Sequence, residues 1–257
     1  MSRQKPWADG PFELISSTRA GAKKGAKATG ANCMAEDMTI IHNLIIRILN
    51  TVYLQCVNVE KSPGDVHDFV SYALEWSRMV EEHHHTEEET VFPDIEEMAG
   101  VPGLMQGNVA QHEAFHVGLQ EYMEYLGKVQ KGEEKYSGER LRGIINSFMP
   151  VLRQHLSDEI DTLLKLGEYD VDWTGWFVNL KKKLLSKTND PNLKTTTIPL
   201  LLTNMDATFE DGVFAWWPGL PWFVMILFRW VFIPTHKNWW RFSSCDDRGM
   251  PRELPFA

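Results

Sequence analysis

Three stretches of the chain place a histidine four residues ahead of another histidine or a glutamate: His84-x-x-x-Glu88, His112-x-x-x-His116 and His155-x-x-x-Glu159. On an α-helix such a pair differs by about 40° of rotation and one turn of rise, so both side chains reach one point beside the helix. Imidazoles and carboxylates converging on one point can hold a metal ion. A further histidine, His42, sits in an apolar stretch with no acid between Met38 and Asn58. Five histidines and two carboxylates are too many for one tetrahedral zinc. They suit two six-coordinate ions bridged by both carboxylates and by an oxide or hydroxide. Three histidines then complete one ion, and two leave the other an open position, where dioxygen could bind. Iron is the natural metal for imidazole-rich O2 chemistry.

The middle of the second stretch has more than one reading. Glu81-Glu-His-His-His-Thr-Glu-Glu-Glu89 offers three parallel pairs, His83/Glu87, His84/Glu88 and His85/Glu89. With Trp76 as the reference direction, the apolar face of this helix centres near about 40°; His83 lies near −20°, His84 near 80° and His85 near 180°. His85 is excluded from the core-facing seam. Periodicity leaves His83/Glu87 and His84/Glu88 both open. The remaining acids read as a solvated face that raises the negative potential beside a cation site.

Four helices must position these groups. Met38, His42, Ile45, Leu49, Val52 and Cys56 recur at steps of four and three, the spacing of one helix face turned to a core. Pro63-Gly64 opens a second helix, with Phe69, Ala73, Trp76 and Val80 on one face, running to about Met98. Gly100, Pro102 and Gly103 mark a turn. A third helix carries Val109, His112, His116, Leu119, Met123 and Leu126, and a fourth carries Leu141, Ile145, Phe148, Leu152, His155, Glu159, Thr162 and Leu166, with an expected kink at Pro150. Four long helices with short connections give an all-α, up-down-up-down four-helix bundle over residues 34–167. A polar layer contributed by all four helices is costly to bury unless each group is paired or bound to a cation.

The flanks differ in composition. Residues 1–33 read as a flexible arm with a small basic run, Lys23-Lys24-Gly25-Ala26-Lys27. Residues 168–257 form an aromatic-rich extension. Its apolar run from Trp222 to Ile233 is 12 residues, follows Pro218 and Pro221, and contains Arg229. At 1.5 Å per residue that is about 18 Å of helix, short of a bilayer core of about 30 Å, so the extension is expected to pack on the bundle and not to contact a membrane. A net charge of −9, from 26 Lys+Arg and 35 Asp+Glu, argues against nucleic-acid binding. Three scattered cysteines and no apolar leader after Met1 point to a reducing, cytoplasmic setting.

Ferritin-like sites use Glu-x-x-His on two helices and a lone Glu on each of the others. Glu81-x-x-His84 and Glu113-x-x-His116 match, but the first helix lacks its Glu. The chain instead resembles the hemerythrin family in its HHE cation-binding branch. The resemblance runs through Ile41-His42-Asn43, His83-His84-His85-Thr-Glu-Glu-Glu-Thr-Val-Phe92-Pro93, Gln111-His112-Glu-Ala-Phe-His116 and His155-Leu-Ser-Asp-Glu159, over residues 38–166. It implies Glu88, four residues after His84, as the ligand of the second helix. It further implies His112, His116 and His155 on one iron, His42 and His84 on the other, and Glu88 and Glu159 as bridges. Oxygen-carrying members have an Asp five residues after the last His; here that position is Ile160, and the acid is Glu159. The aromatic tail resembles that of fungal members. Expected functions are binding of O2 or a related small ligand at an open iron position, di-iron oxidase or oxygenase activity on a small organic substrate, or iron storage.

Overall fold

A computed structural model describes residues 7–19, 30–187 and 190–257; the basic run at 23–27 lies outside the described residues. Among the described residues there are helices and no strands. The bundle consists of α1 (Ala31–Val59), α2 (Pro63–Thr86), α3 (Phe92–Ala99), α4 (Gln106–Gln130) and α5 (Gly138–Lys165). A π-helical segment, Glu87–Val91, joins α2 to α3, so the second long helix of the sequence reading is one continuous path with an altered middle. The cause is local. Pro93 has no N–H to give the carbonyl four residues back, and its ring crowds that carbonyl. The chain widens, and the Phe92 N–H instead reaches the Glu87 carbonyl five residues away.

α1 packs on α2 and α5, and α4 packs on α2 and α5, which closes a four-helix ring. On α1 the expected seam is buried from His42 through Cys56. On α5 it is buried at Leu141, Ile145, Phe148, Leu152, His155 and Glu159, and the helix runs on through Pro150. α4 departs from the expectation. Its buried line is Asn108, His112, Phe115, Leu119, Tyr122 and Leu126. After His112 the seam steps by three to Phe115, not by four to His116. Gly118 permits this contact, because a Cβ there would lie 2.5 Å from Cβ of Phe148 on α5.

α1 is also long and apolar enough to cross a membrane, but 78% of its most apolar window is buried inside the fold, as in a core helix. Part of that burial comes from the N-terminal arm, whose residues 7–19 are docked and not free. Buried Asn50 donates to the carbonyls of Ala8 and Phe12 and accepts from the Phe12 N–H; Asn43 does the same for both backbone groups of Ile15. The two amides thus satisfy backbone groups of a turn-rich segment that has no helix or strand partner for them. Arg47, 3% exposed, ties the arm to the tail through Asp9 at 2.8 Å and Asp206 at 3.5 Å.

The C-terminal extension divides into two kinds of surface. α6 (Trp173–Lys187) lies against α1, and Trp173, Leu180, Phe214, Phe228, Trp240 and Phe242 are buried. The apolar run does not pack as expected: Trp222 and Trp230 are 75% and 79% exposed, and Phe223, Ile226, Leu227 and Val231 are exposed beside them. The run forms a helical turn over Trp222–Leu227 continued by a π-helical turn. It touches the body on one side only, through Phe228 and through Arg229, which donates to the Asp247 carbonyl at 3.0 Å.

Candidate metal centre

One layer of the bundle is polar. It lies between two apolar clusters, a large one running from Leu44 through Trp76 and Phe148 and a smaller one around Met34, Phe92, Leu163 and Trp173. Its members are His42 from α1, His83 and His84 from α2, Glu87 from the start of the π-helical segment, His112 from α4, and His155 and Glu159 from α5. All but His83 are at most 7% exposed, and the His83 side chain is 14% exposed.

The ligand atoms fall into two groups. His84, Glu87, His112 and His155 each bring one within 4.8 Å of the others; so do His42, His83 and Glu87. Glu87 belongs to both groups, 3.1 Å from His83 Nε2 and 3.7 Å from His112 Nε2. Glu159 also touches one histidine of each, His42 Nε2 at 3.4 Å and His155 Nε2 at 3.6 Å. The layer therefore holds three histidines on one side, two on the other, and two carboxylates between them.

The outer nitrogens of three rings are already committed. His42 Nδ1–H donates to the Leu156 carbonyl at 2.7 Å, His112 Nδ1–H to Glu88 Oε1 at 2.6 Å and His155 Nδ1–H to Gln111 Oε1 at 3.1 Å. Each bond leaves Nε2 of the neutral ring as a lone pair aimed inward. The Nε2 atoms of His112 and His155 then face one another at 3.0 Å, an arrangement that needs a positive charge between them. Nε2 of His42, His83 and His84 and all four oxygens of Glu87 and Glu159 are buried with no hydrogen-bond partner. A buried polar atom left unpaired costs about 1–3 kcal/mol, so seven in one layer demand compensation that the protein itself does not supply. A metal would supply it, and the donor set of imidazole and carboxylate fits iron.

The electrostatics agree. Burial, together with the neighbouring histidines, pushes His83 and His84 well below their ordinary pKa. Burial also takes His155 down to about 3, although Glu159 opposes the shift. All three are neutral ligands at physiological pH. Burial, then Glu159 and Glu88, raises Glu87 well above the usual carboxylate range. Burial pushes Glu159 up too, but the contacts with His42, His155 and His112 outweigh it and hold the carboxyl below its ordinary value. In the metal-free layer one acid thus keeps its proton, and cations would displace it.

Of the seven residues expected from the sequence, the structure brings together His42, His84, His112, His155 and Glu159. Glu88 and His116 lie outside the layer. The Glu88 side chain is 41% exposed and holds the outer nitrogen of His112. His116 is exposed and lines a cleft of about 450 Å³ with Glu81, His84, His85 and Glu113. Glu81 and Glu113, the acids of the ferritin-like pattern, are exposed as well. Their places are taken by Glu87 and His83. The signal for Glu87 lay in the helix angles: it falls near about 20°, closer to the face centre than Glu88 near 120°. His83 and His84 flank that centre on either side, and both turn in. For His116 the competing residue is Phe115, whose ring packs 5.1 Å from His84 and 5.5 Å from His155.

Residues 33–166 match the hemerythrin HHE cation-binding domain. The chain belongs to that family. The match spans α1 to α5 and stops before α6, so the family domain is the bundle, and the polar layer within it is a His/Glu cluster that could hold metal. The protein is also similar over almost its whole length to the "Dimeric xanthone biosynthesis cluster protein R11" of Cryptosporiopsis sp. (strain 8999). Identity is 34% over 258 residues, covering 98% of this chain and 94% of the relative. That likeness includes the aromatic extension. No solved structure matches the chain significantly.

Proposed function

We propose that the protein is a non-haem di-iron protein that reacts with O2 and serves as an oxidase or oxygenase on an organic substrate. The observation that carries the two-ion reading is the sharing of Glu87 and Glu159 between the two histidine groups. His84, His112 and His155 would hold one ion, His42 and His83 the other, with both carboxylates common to the pair. The ion with two histidines is the one with room for O2 or a related small ligand. When bound, iron supplies the redox chemistry. The chain's own part is to hold five neutral imidazoles with inward lone pairs, to fix three of them from behind, and to exclude water by the apolar clusters on either side.

Two observations favour an enzyme over reversible O2 carriage or iron storage. The relative with the same extension is named for a biosynthesis cluster. The extension also reaches the layer itself, since α6 closes over His83 and Glu87. A carrier of a diatomic ligand needs no such cover. The test is anaerobic reduction of the iron-loaded protein, then exposure to O2 with phenolic and polyketide-type aromatic compounds. Consumption of O2 matched to product supports the enzyme; uptake that reverses on evacuation, with no product from any compound, rejects it in favour of carriage.

A further inference from the structure

α6 lies outside the family domain and is pinned across the bundle at several points. Lys181 Nζ pairs with Asp37 Oδ1 at 2.8 Å, Trp176 Nε1 donates to Asp94 at 3.4 Å, and buried Trp173 donates to the Leu166 carbonyl at 2.8 Å. Between these pins the packing is incomplete. A cavity of about 120 Å³ remains under the helix, with walls that include Met34, Met38, Ile41, Leu163, Phe177 and Leu180. The lining also has a polar part, Thr86, His83 and Glu87. His83 Nε2 and both Glu87 oxygens are among the unpartnered buried atoms. Asp37, Phe177 and Leu184 at its edge are half-exposed, so it has a mouth.

Protein interiors close-pack, and an empty apolar space with a polar part to its lining is the form of a small-molecule site. The size narrows the occupant. An apolar cavity of about 150 Å³ accepts benzene, so about 120 Å³ takes one ring and no fused system. Apolar walls select a ring without charge. With His83 and Glu87 facing the metals, the Thr86 hydroxyl is left to select one polar substituent on the ring.

We propose that the cavity beneath α6 seats a single phenolic ring of the substrate, its hydroxyl toward Thr86 and beside the metal ligands His83 and Glu87, with the rest of the molecule leaving through the mouth beside Leu184. This rests on the reading of the polar layer as an O2-reacting iron centre, and it makes α6 the element that turns such a centre toward an organic substrate. The larger cleft at His116 is lined by charged groups and is a poor seat for an apolar ring.

The test uses the full-length, iron-loaded protein titrated with p-cresol by calorimetry, with iron content measured on the same samples. Saturable one-to-one binding is expected. Leu184→Trp, at a half-exposed wall, should fill the mouth and weaken binding by at least about tenfold, about 1.4 kcal/mol. Thr86→Val, which keeps the shape and removes the hydroxyl, should weaken p-cresol but leave toluene unchanged. Glu113→Trp, at an exposed wall of the other cleft, should have no effect on either ligand. Circular dichroism and unchanged iron content establish that each variant is folded. Absence of saturable p-cresol binding to protein that holds its iron overturns the proposal, as does binding blocked by Glu113→Trp and not by Leu184→Trp. Failure to hold iron at all counts against the metal reading instead, and p-cresol binding to such protein still supports the ring site.

Discussion

Glu87→Gln and Glu88→Gln differ by one position and should differ in opposite directions with and without metal. Glu87 is 2% exposed, and neither of its oxygens has a hydrogen-bond partner. In the loaded protein its carboxylate faces both cations. A unit charge pair at 4 Å contributes about 4 kcal/mol at the effective dielectric of a protein site, so losing the charge should weaken binding by about a thousandfold or more. Without metal, burial keeps Glu87 protonated, and Gln mimics the neutral acid, so the metal-free melting temperature should hold or rise. Glu88→Gln retains an acceptor for His112 Nδ1. It should weaken binding at the low end of the 10–100-fold range typical of groups behind a ligand, about tenfold. Chelator-competition titrations with iron, and melting curves with and without it, separate the two. If Glu88→Gln strips the metal while Glu87→Gln retains it, the register of the π-helical segment is wrong and the ligand set falls with it.

Three other outcomes follow from the same geometry. His83→Ala and His84→Ala should each remove metal, one from each group, whereas His85→Ala and His116→Ala should leave metal content unchanged, as read by metal analysis. In the metal-free protein, stability should fall with acidification below about pH 6.5, because the unfolded chain takes up protons that folded His83, His84 and His155 refuse. Each such histidine costs about 1.4 kcal/mol per pH unit, one of the three being offset by Glu87, which binds its proton only when folded. Denaturant titrations at pH 7.5 and 5.5 check the sign, and with metal bound the slope should steepen, because cations displace the Glu87 proton that offsets one histidine. Asn50→Ala removes three hydrogen bonds to the arm and should cost about 3 kcal/mol at about 1 kcal/mol each, lowering the melting temperature by about 6–12 °C with metal content intact.

Much of this arrangement was legible in the sequence. Four-three periodicity placed α1 and α5 almost residue by residue, and the presence of His42, His112, His155 and Glu159 on core-facing lines follows from the same count. The count failed where the helix stopped being an ideal α-helix. Pro93 forces the π-helical turn after Thr86, and the resemblance that selected Glu88 passed over the smaller angle of Glu87. On α4 both His116 and Phe115 fit a four-three line after His112, and the larger apolar ring wins the core position. The arm at residues 7–19 reads as linker because it has no period of its own; what orders it is two asparagines on α1 more than 25 residues away in sequence. The opposite error occurred at Trp222 and Trp230, where apolar composition suggested burial and the structure exposes them.

Two ions in one chain, shared by Glu87 and Glu159, can be counted directly. Iron should be counted per chain by elemental analysis in full-length protein purified from iron-replete cells, with electron paramagnetic resonance on the oxidised sample. Two iron atoms per chain and a silent spectrum are expected, because two bridged ferric ions couple. One iron per chain, with the resonance of an isolated high-spin ferric ion, would contradict the two-ion reading.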